Sequence, residues 1–311
     1  MSWSTNDIPD LQGKVAVITG ANGGLGLASA KALAGKRAHV VMAVRNQAKA
    51  ADARAEILAA HPDASLEIVE LDLGSLASVD KAADEIAAKH DHIDILMCNA
   101  GVMAMPQGTT EDGFDTQMGV NVLGHWALIA RLLPILVATP GARVVTLSST
   151  AQHMGRAIDP ADPHMQKNFD EWRMYGQTKL AMRHLAVGLQ AQFDGAGVDA
   201  KALSAQPGMT NSDLQTTTIQ AQAGAGRLGN FFEKWTKAAG MSTDRGALSQ
   251  LRAAVDPEAP GAGFYGPLFG THGPPVRKPL IRPGGEGAVE ALWRVAERET
   301  GRKIDVSAAA G

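Results

Sequence analysis

The sequence predicts a single doubly wound α/β domain in which about seven parallel strands are covered by helices on both faces. Six strand-sized apolar runs alternate with helix-length segments rich in alanine and leucine. This alternation is typical of right-handed βαβ crossovers. The runs are apolar almost throughout, which indicates strands that are buried on both faces. No linker divides the 311 residues into comparable halves, so one domain is predicted over residues 1–311.

The individual elements follow from hydrophobic runs and their periodicity. The predicted strands are Lys14 to Thr19, His39 to Val44, Leu66 to Leu71, Ile93 to Asn99, Arg143 to Ser148 and Val198 to Ala205. The predicted helices are Leu25 to Ala34, Ala48 to Ala60, Ser75 to Lys89, Phe114 to Ala138 and Trp172 to Phe193.

The composition changes after these elements. The core is predicted to cover residues 9–210, and residues from about 211 to 311 are predicted to form a substrate lid and a C-terminal extension. Glycines and aromatic residues come first, followed by a Gly/Pro-rich stretch from Pro257 to Gly285 and a last helix near Gly287 to Glu299. Such segments are more typical of an elaborated lid than of a second core.

Charge and cysteine content exclude several classes of function. The net charge is −3 and no run of basic residues is present, so no nucleic-acid partner is predicted. A single cysteine cannot form an intramolecular disulfide, and the nine histidines show no metal-binding spacing, so no metal site is predicted. The polar amino terminus lacks an apolar signal segment, and Val122 to Ala138 falls short of a membrane span of about 20 residues. A cytoplasmic protein without a membrane partner is expected.

A glycine-rich loop follows the first predicted strand, in the sequence Thr19-Gly20-Ala21-Asn22-Gly23-Gly24-Leu25-Gly26. Glycines allow a tight turn and bring backbone N–H groups toward a pyrophosphate at the positive end of the next helix. The spacing of Gly20, Gly24 and Gly26 differs from the commoner G-x-G-x-x-G fingerprint. The loop predicts a dinucleotide site, and a glycine turn that only packs the helix on the strand is the alternative.

The choice of cofactor is predicted from the end of the second strand. A carboxylate there would accept hydrogen bonds from a ribose 2′-hydroxyl, but the sequence has Arg45. A guanidinium pairs well with a 2′-phosphate, so NADP is favoured over NAD, with a solvated arginine as the alternative. Asp72 follows the third strand and is predicted to accept a hydrogen bond from the adenine amine, with Leu73 beside it, or to act only as a helix cap.

Tyr175 and Lys179 stand four residues apart, so a helix places them on one face. A lysine at this distance is expected to lower the pKa of the phenol toward the working pH of a general acid or base. Upstream, a strand ends in the paired serines Ser148 and Ser149, and ligands of open α/β sheets bind at the carboxyl ends of the strands.

Taken together and in this order, these pieces resemble the short-chain dehydrogenase/reductase family, which has a Rossmann-type fold. The resemblance covers about residues 9 to 213. It rests on Thr19-Gly20-x-x-x-Gly24-x-Gly26, Asp72, Asn99-Ala100-Gly101, Asn121, Ser149, Tyr175-x-x-x-Lys179 and Pro207-Gly208. Within the family, the glycine loop and Arg45 look like those of the NADP-preferring retinol dehydrogenase and protochlorophyllide reductase relatives. Many of those relatives have a serine at the place of Gly23.

The resemblance implies a role for each catalytic residue. Tyr175 would exchange a proton with the substrate oxygen, and Ser149 would hydrogen-bond the same oxygen. Lys179 would hold the nicotinamide ribose and lower the pKa of the tyrosine. Asn121 would keep a helix kinked around a water of the proton relay.

The resemblance also implies cofactor contacts. The glycine loop with Leu25 would hold the pyrophosphate, and Asn22 would act with Arg45 in discriminating NADP from NAD. Asn99, Ala100 and Gly101 would support the sheet beside the cofactor. Pro207 and Gly208 would lie near the carboxamide, and Thr210 or Ser212 near the phosphates. The two helices that carry Asn121 and Tyr175 commonly form a four-helix interface, so a homodimer or homotetramer is expected.

The expected function is therefore that of an NADP-dependent carbonyl reductase or secondary alcohol dehydrogenase, although NAD remains possible. An apolar pocket predicts a bulky hydrophobic substrate. The residues expected to line it are Leu214, Phe231, Phe232, Trp235 and Met241. Two alternatives remain at this point, a nucleotide-binding regulatory protein without turnover and a nucleotide-sugar epimerase or dehydratase.

Overall fold

A computed structural model describes residues 2–210, 241–279 and 285–311 of the chain. Its eight-stranded sheet has the order β3-β2-β1-β4-β5-β6-β7-β8, and every neighbouring pair is parallel except β7 and β8. The strands are β1 (Val15–Thr19), β2 (His39–Val44), β3 (Leu66–Glu70), β4 (Ile95–Cys98), β5 (Ala142–Leu147), β6 (Ala200–Ala205), β7 (Phe264–Pro267) and β8 (Pro275–Lys278). The predicted doubly wound α/β class is confirmed.

Helices cover both faces of this sheet. They are α1 (Gly24–Ala34), α2 (Gln47–Ala60), α3 (Leu76–Lys89), α4 (Thr116–Ala138), α5 (Glu171–Ala196), α6 (Thr243–Val255), α7 (Glu286–Thr300) and α8 (Val306–Ala310). One core lies between the sheet and α3, α4 and α5. The other lies on the opposite face, under α1, α2 and α6. The strands are apolar on both sides because each side contacts one of these two cores.

Helix α4 is long and apolar enough to span a membrane by length and composition alone. About two thirds of its most apolar window is buried inside the fold. Its apolar residues pack against the sheet and against α3 and α5, as in a core helix of an α/β domain.

The sheet continues past the predicted core boundary at residue 210. Strand β7 pairs with β6 in parallel, and β8 covers the outer edge of β7 in antiparallel orientation. Helix α6 packs on α1, β6 and β7. Composition predicted a lid for this part of the chain, but from Thr243 onward much of it belongs to the sheet and its covering layer.

The expected four-helix interface is covered by the chain itself. Helix α7 packs on α5, and α8 packs on both α4 and α5. Trp126 and Trp293 meet edge to face, with ring centroids 5.0 Å apart, and Trp126 Nε1 donates to the carbonyl of Arg302. A partner could use this face only after displacing the C-terminal helices.

Candidate active site

The glycine-rich loop leaves a helix N-terminus open to an anion. Gly20 and Gly24 adopt left-handed backbone angles, with φ of 68° and 51°. Helix α1 begins at Gly24, and its N-cap residue is Gly23, which has no side chain to cap the first turn. The N–H groups of the first helical turn are therefore available to a phosphate, and the helix dipole favours its negative charge.

Two glycines of this loop have little room for a side chain. A Cβ atom on Gly26 would collide with the carbonyl of Gly20 and lie 2.6 Å from Asn99 Nδ2. A Cβ atom on Gly20 would lie 3.0 Å from the Cβ of Ala100. The loop thus packs directly on the segment after β4. Leu25 is buried and Asn22 is half-buried beside it, so the predicted loop residues lie together.

Hydrogen bonds join the ends of β1 and β4. The hydroxyl of Thr19 accepts from the backbone N–H groups of Asn99 and Ala100, both at 2.9 Å. Asn99 Nδ2 donates to the carbonyl of Thr19 at 2.8 Å. Gln250 of α6 donates to Asn99 Oδ1 at 3.2 Å and to Ser29 Oγ at 2.7 Å. Asn99 therefore joins the ends of β1 and β4 next to the loop, and Gln250 is a supporting residue that was not predicted from the sequence.

Arg45 and Asp72 follow adjacent strands and face each other. Arg45 Nη1 lies 3.6 Å from Asp72 Oδ2, and the Arg45 side chain is 75% exposed. Asp72 Oδ1 accepts from the N–H of Gly74, so Asp72 stabilises the turn before α3, whose N-cap is Ser75. The backbone of buried Leu73 packs on α4. The Arg45 guanidinium remains available to an anion on its solvent side.

Ser149, Tyr175 and Lys179 come together at the carboxyl edge of the sheet. Ser149 follows β5, and its hydroxyl lies close enough to the phenol of Tyr175 to lower the pKa of that phenol. Lys179 lies one turn after Tyr175 on α5, with Nζ 5.6 Å from the centre of the tyrosine ring. Tyr175 and Lys179 are both 6% exposed. The helical spacing and the strand end predicted from the sequence thus converge on one site.

The pKa of Tyr175 differs from the expectation. Burial raises it to about 12, and the hydrogen bond with Ser149 only partly offsets this. Lys179 Nζ lies over the ring, 5.6 Å from its centre, and donates to the carbonyl of Leu147 at 3.2 Å. Burial also lowers the pKa of Lys179 to about 8. The phenol is consequently held protonated at neutral pH.

Asn121 lies in a π-helical segment, Gly119–Leu123, inside α4. Its side chain accepts from the N–H of Val102 at 2.8 Å and donates to the Val102 carbonyl at 2.9 Å. It also donates to Thr178 Oγ1 at 3.0 Å, on the helix that carries Tyr175. A Cβ atom on Gly101 would lie 2.9 Å from Asn121 Oδ1 and 3.4 Å from Lys179 Nζ. Asn121 therefore joins the segment after β4 to α5 next to Lys179, and Thr178 is a further contact that the sequence analysis missed.

His125 connects this π segment to the glycine loop. Its Nδ1 lies 3.0 Å from the carbonyl of Asn121, and its Nε2 lies 2.9 Å from the hydroxyl of Thr19. Because a carbonyl can only accept, Nδ1 carries the proton and Nε2 accepts from Thr19. Burial lowers the pKa of His125 to about 4, so the ring is neutral. The sequence signal for this contact is its position four residues after Asn121 on one helix.

Two buried histidines are expected to make the fold less stable at low pH. Burial lowers the pKa of His125 and of His184 on α5 to about 4, whereas in the unfolded chain each takes up a proton below about 6.5. The free energy of unfolding therefore keeps the full contribution of these histidines above about pH 6.5. It falls as the pH drops toward 4, by about 2 kcal/mol per histidine between pH 6.5 and 5. Urea unfolding at pH 7 and pH 5 measures this loss. His184→Met should show a smaller loss than the wild type, and equal losses would contradict the assignment.

The backbone after β6 turns at a glycine and pairs with the segment after β7. Gly208 has φ of 77°, and Met209 N–H donates to the carbonyl of Thr271 at 2.9 Å. Pro207 is half-buried there, and Thr210 is buried against Leu25 and Gly246. The structure thus places Thr210 next to Leu25 of the glycine loop, whereas Gly208 packs on Pro267 and Thr271. Ser212, predicted to contact phosphate, lies outside the described residues.

Exposed apolar side chains lie at the edge of the sheet that carries Tyr175. Within the described residues, the large exposed hydrophobic side chains are Met154, Trp172, Leu268 and Phe269. All four belong to segments that follow β5 or β7 or that begin α5, at the same edge as Tyr175. Trp172 meets Tyr175 edge to face, with ring centroids 6.3 Å apart. Of the predicted pocket residues, Met241 is half-buried, and Leu214, Phe231, Phe232 and Trp235 lie outside the described residues.

Comparison with known proteins decides the family. Residues 14–223 match the family model for short chain dehydrogenases. The chain belongs to the short-chain dehydrogenase/reductase family. It is an NAD(P)-dependent oxidoreductase of that family, as its resemblance implied. The match to the family model covers about two thirds of the chain and includes the glycine loop, Ser149, Tyr175 and Lys179.

Individual members of the short-chain dehydrogenase/reductase family are similar over most of the chain. A family member from Armillaria gallica is 35% identical, over 83% of this chain and 81% of its own. The polyprenol dehydrogenase of Mus musculus is 34% identical over 82% of this chain and 74% of its own length. Retinol dehydrogenase 13 of Mus musculus is 37% identical over 71% of this chain and 66% of its own length.

The fold is also similar to solved structures. A protein from Mycobacterium paratuberculosis has a TM-score of 0.79 and 34% identity, with coverage of 97% of this chain and 99% of that one. Levodione reductase has a TM-score of 0.66 at 18% identity, which shows the shared fold alone.

Proposed function

We propose that this enzyme is an NADP-dependent carbonyl reductase or secondary alcohol dehydrogenase that acts on a bulky hydrophobic substrate. The observation that carries this proposal is the buried Tyr175 with Ser149 and Lys179 beside it, at the edge of the sheet where the glycine loop opens. A regulatory protein without turnover has no need of these three groups in one site. An epimerase or dehydratase is not favoured by the spacing of Gly20, Gly24 and Gly26.

The fit of a dinucleotide rests on the open N-terminus of α1 and on the close packing of Gly26, which leaves the loop without obstructing side chains. When bound, the nicotinamide ring supplies or accepts the hydride. Tyr175 holds the proton that the carbonyl oxygen needs in reduction, and burial keeps that proton on the phenol at neutral pH. Ser149 orients the same oxygen. Lys179 supplies a cation beside the ring of Tyr175, close to where the ribose would lie.

Arg45 supports the preference for NADP. Its guanidinium is the basic group at the end of β2, and Asp72 faces it from one side only. A 2′-phosphate would give it a charge-assisted partner that a 2′-hydroxyl cannot.

Arg45→Asp should shift the preference from NADP toward NAD. We expect the ratio of kcat/KM values for the two cofactors to change by about 10- to 100-fold, which corresponds to about 1 to 3 kcal/mol for a lost charge-assisted contact. Steady-state kinetics with NADPH and NADH measure the ratio. Arg54→Asp, at an exposed position on α2, is the control. An unchanged ratio in Arg45→Asp would show that Arg45 is merely solvated.

The exposed apolar side chains at the cleft support a hydrophobic substrate, since they would lose contact with water against it. The names of the polyprenol and retinol dehydrogenase relatives agree with this class. A screen of ketones and secondary alcohols of increasing apolar size, with both cofactors, tests the proposal. Turnover that rises with apolar size supports it, and tight cofactor binding without turnover on any of them would favour a regulatory protein.

Members of the family are typically oligomeric, and we propose a homodimer or homotetramer for this chain. Because α7 and α8 cover the outer face of α4 and α5, such an assembly would use a different surface.

A further inference from the structure

A second cluster of potential ligands lies at the opposite edge of the sheet. His39 is the first residue of β2, Glu67 lies near the start of β3, and His90 follows the last residue of α3. Their candidate ligand atoms all lie within 4.8 Å of one another. Glu67 Oε2 is 3.0 Å from His90 Nε2 and 3.6 Å from His39 Nε2.

The two distances from Glu67 suit a tetrahedral metal ion. Zinc bonds to nitrogen and oxygen ligands at about 2.0 to 2.2 Å, so its ligand atoms lie about 3.3 Å apart. The two distances from Glu67 lie on either side of this value. Two imidazoles and one carboxylate form a known three-ligand set for zinc, which leaves the fourth position to water. The side chains are 12% to 28% exposed, so water can reach the cluster.

One atom of the cluster makes no hydrogen bond to any of the residues that the structure describes. His39 Nε2 is buried and makes no hydrogen bond, while Nδ1 of the same ring lies 2.7 Å from Ser65 Oγ. When Nδ1–H donates to Ser65, Nε2 presents its lone pair to the cluster. A hydrogen bond to the far nitrogen is how proteins commonly orient a metal-binding histidine. A buried polar atom without a partner is uncommon, and a bound cation would satisfy it.

The positive charge of Lys89 limits the affinity of this cluster for a cation. Its Nζ lies 2.6 Å from Glu67 Oε1 and 2.8 Å from Glu85 Oε1. This ammonium group uses the other oxygen of Glu67 and leaves Oε2 to the cluster. Its positive charge nevertheless opposes a divalent cation nearby, so removal of the charge should strengthen metal binding.

We propose that His39, Glu67 and His90 form a Zn²⁺ site that joins β2, β3 and the end of α3. The sequence analysis predicted no metal site, because these residues are 28 and 23 positions apart and show no motif. The site lies at the amino-terminal edge of the parallel strands, whereas Ser149 and Tyr175 lie at the carboxyl edge. Its effect is therefore on stability, and it is independent of the proposed reaction.

Titration of the full-length, tag-free chain with Zn²⁺ tests the proposal. We expect one Zn²⁺ per chain by calorimetry, a higher melting temperature with Zn²⁺, and the visible absorption of tetrahedral Co²⁺ when Co²⁺ is the probe. Glu67→Gln and His90→Gln should each weaken binding at least tenfold, and Lys89→Met should strengthen it. The control is His92→Gln, at the same edge, where the ring contacts Asp91 and Gly13 instead.

The wild-type titration alone can overturn the proposal. Absence of stoichiometric Zn²⁺ binding, or a Co²⁺ spectrum of octahedral hydrated ions only, would do so. Equal losses of affinity in His92→Gln and His90→Gln would also overturn it, since binding would then be spread over surface histidines. Circular dichroism of each variant shows whether it retains the fold.

Discussion

Tyr175→Phe should remove at least 99% of the turnover while the affinity for NADPH stays within about twofold of the wild type. The phenol is the proton donor at the substrate oxygen, and general acid catalysis contributes about 10²- to 10⁴-fold. The phenyl ring preserves the edge-to-face contact with Trp172, so the cleft keeps its shape. Steady-state kinetics and NADPH fluorescence titration measure the two effects separately.

The chain contains a matched control for this variant, since Tyr265 on β7 is its only other tyrosine. Tyr265 is also buried, at 2% exposure, but lies on the other side of the sheet under α6. Tyr265→Phe should keep most of the activity. If Tyr175→Phe also kept most of its rate, Tyr175 could not be the acid or base.

Gly26→Ala should abolish cofactor binding and destabilise the fold. The added methyl group would collide with the carbonyl of Gly20 and press on Asn99 Nδ2, and both neighbours are held by hydrogen bonds. Such overpacking typically costs about 1 to 3 kcal/mol, and the displaced loop would no longer present its N–H groups to a phosphate. We expect at least a hundredfold weaker NADPH binding and a lower free energy of unfolding in urea.

Gly195→Ala is the control for this second variant. Gly195 also lies in a helix, but its added Cβ would meet no atom within 4 Å. Alanine is the better helix former by about 1 kcal/mol, so this variant should be slightly more stable and bind NADPH normally. Normal NADPH binding by Gly26→Ala would show that the loop does not hold the cofactor.

The sequence predicted strands β1 to β6 well, because most of their residues are apolar. It did not predict β7 (Phe264–Pro267), which lies in the Gly/Pro-rich stretch. Strand β2 has the predicted limits, and the other five predicted strands differ by one or two residues at their ends. Strand β8 was not predicted, because Pro275–Lys278 has neither an apolar run nor an alternating pattern. It becomes a strand only because β7 offers an open edge for pairing.

The active site shows the same difference between local spacing, which can be predicted from the sequence, and contacts between residues far apart in the chain, which cannot. Tyr175 and Lys179 could be predicted because helical spacing alone places them together. The direction in which Lys179 Nζ points, toward the carbonyl of Leu147, depends on how α5 packs over β5. Gln250 lies 151 positions from Asn99 in the chain, so no local pattern could indicate their hydrogen bond.

The most direct test of the proposed active site is a crystal structure of the enzyme with NADP⁺. We expect the pyrophosphate at the N-terminus of α1 and the nicotinamide ring next to Tyr175, with Ser149 Oγ and the phenolic oxygen within hydrogen-bonding distance of one point above the ring. A nucleotide bound elsewhere, or a Tyr175 side chain directed away from the nicotinamide, would contradict the proposed site and mechanism.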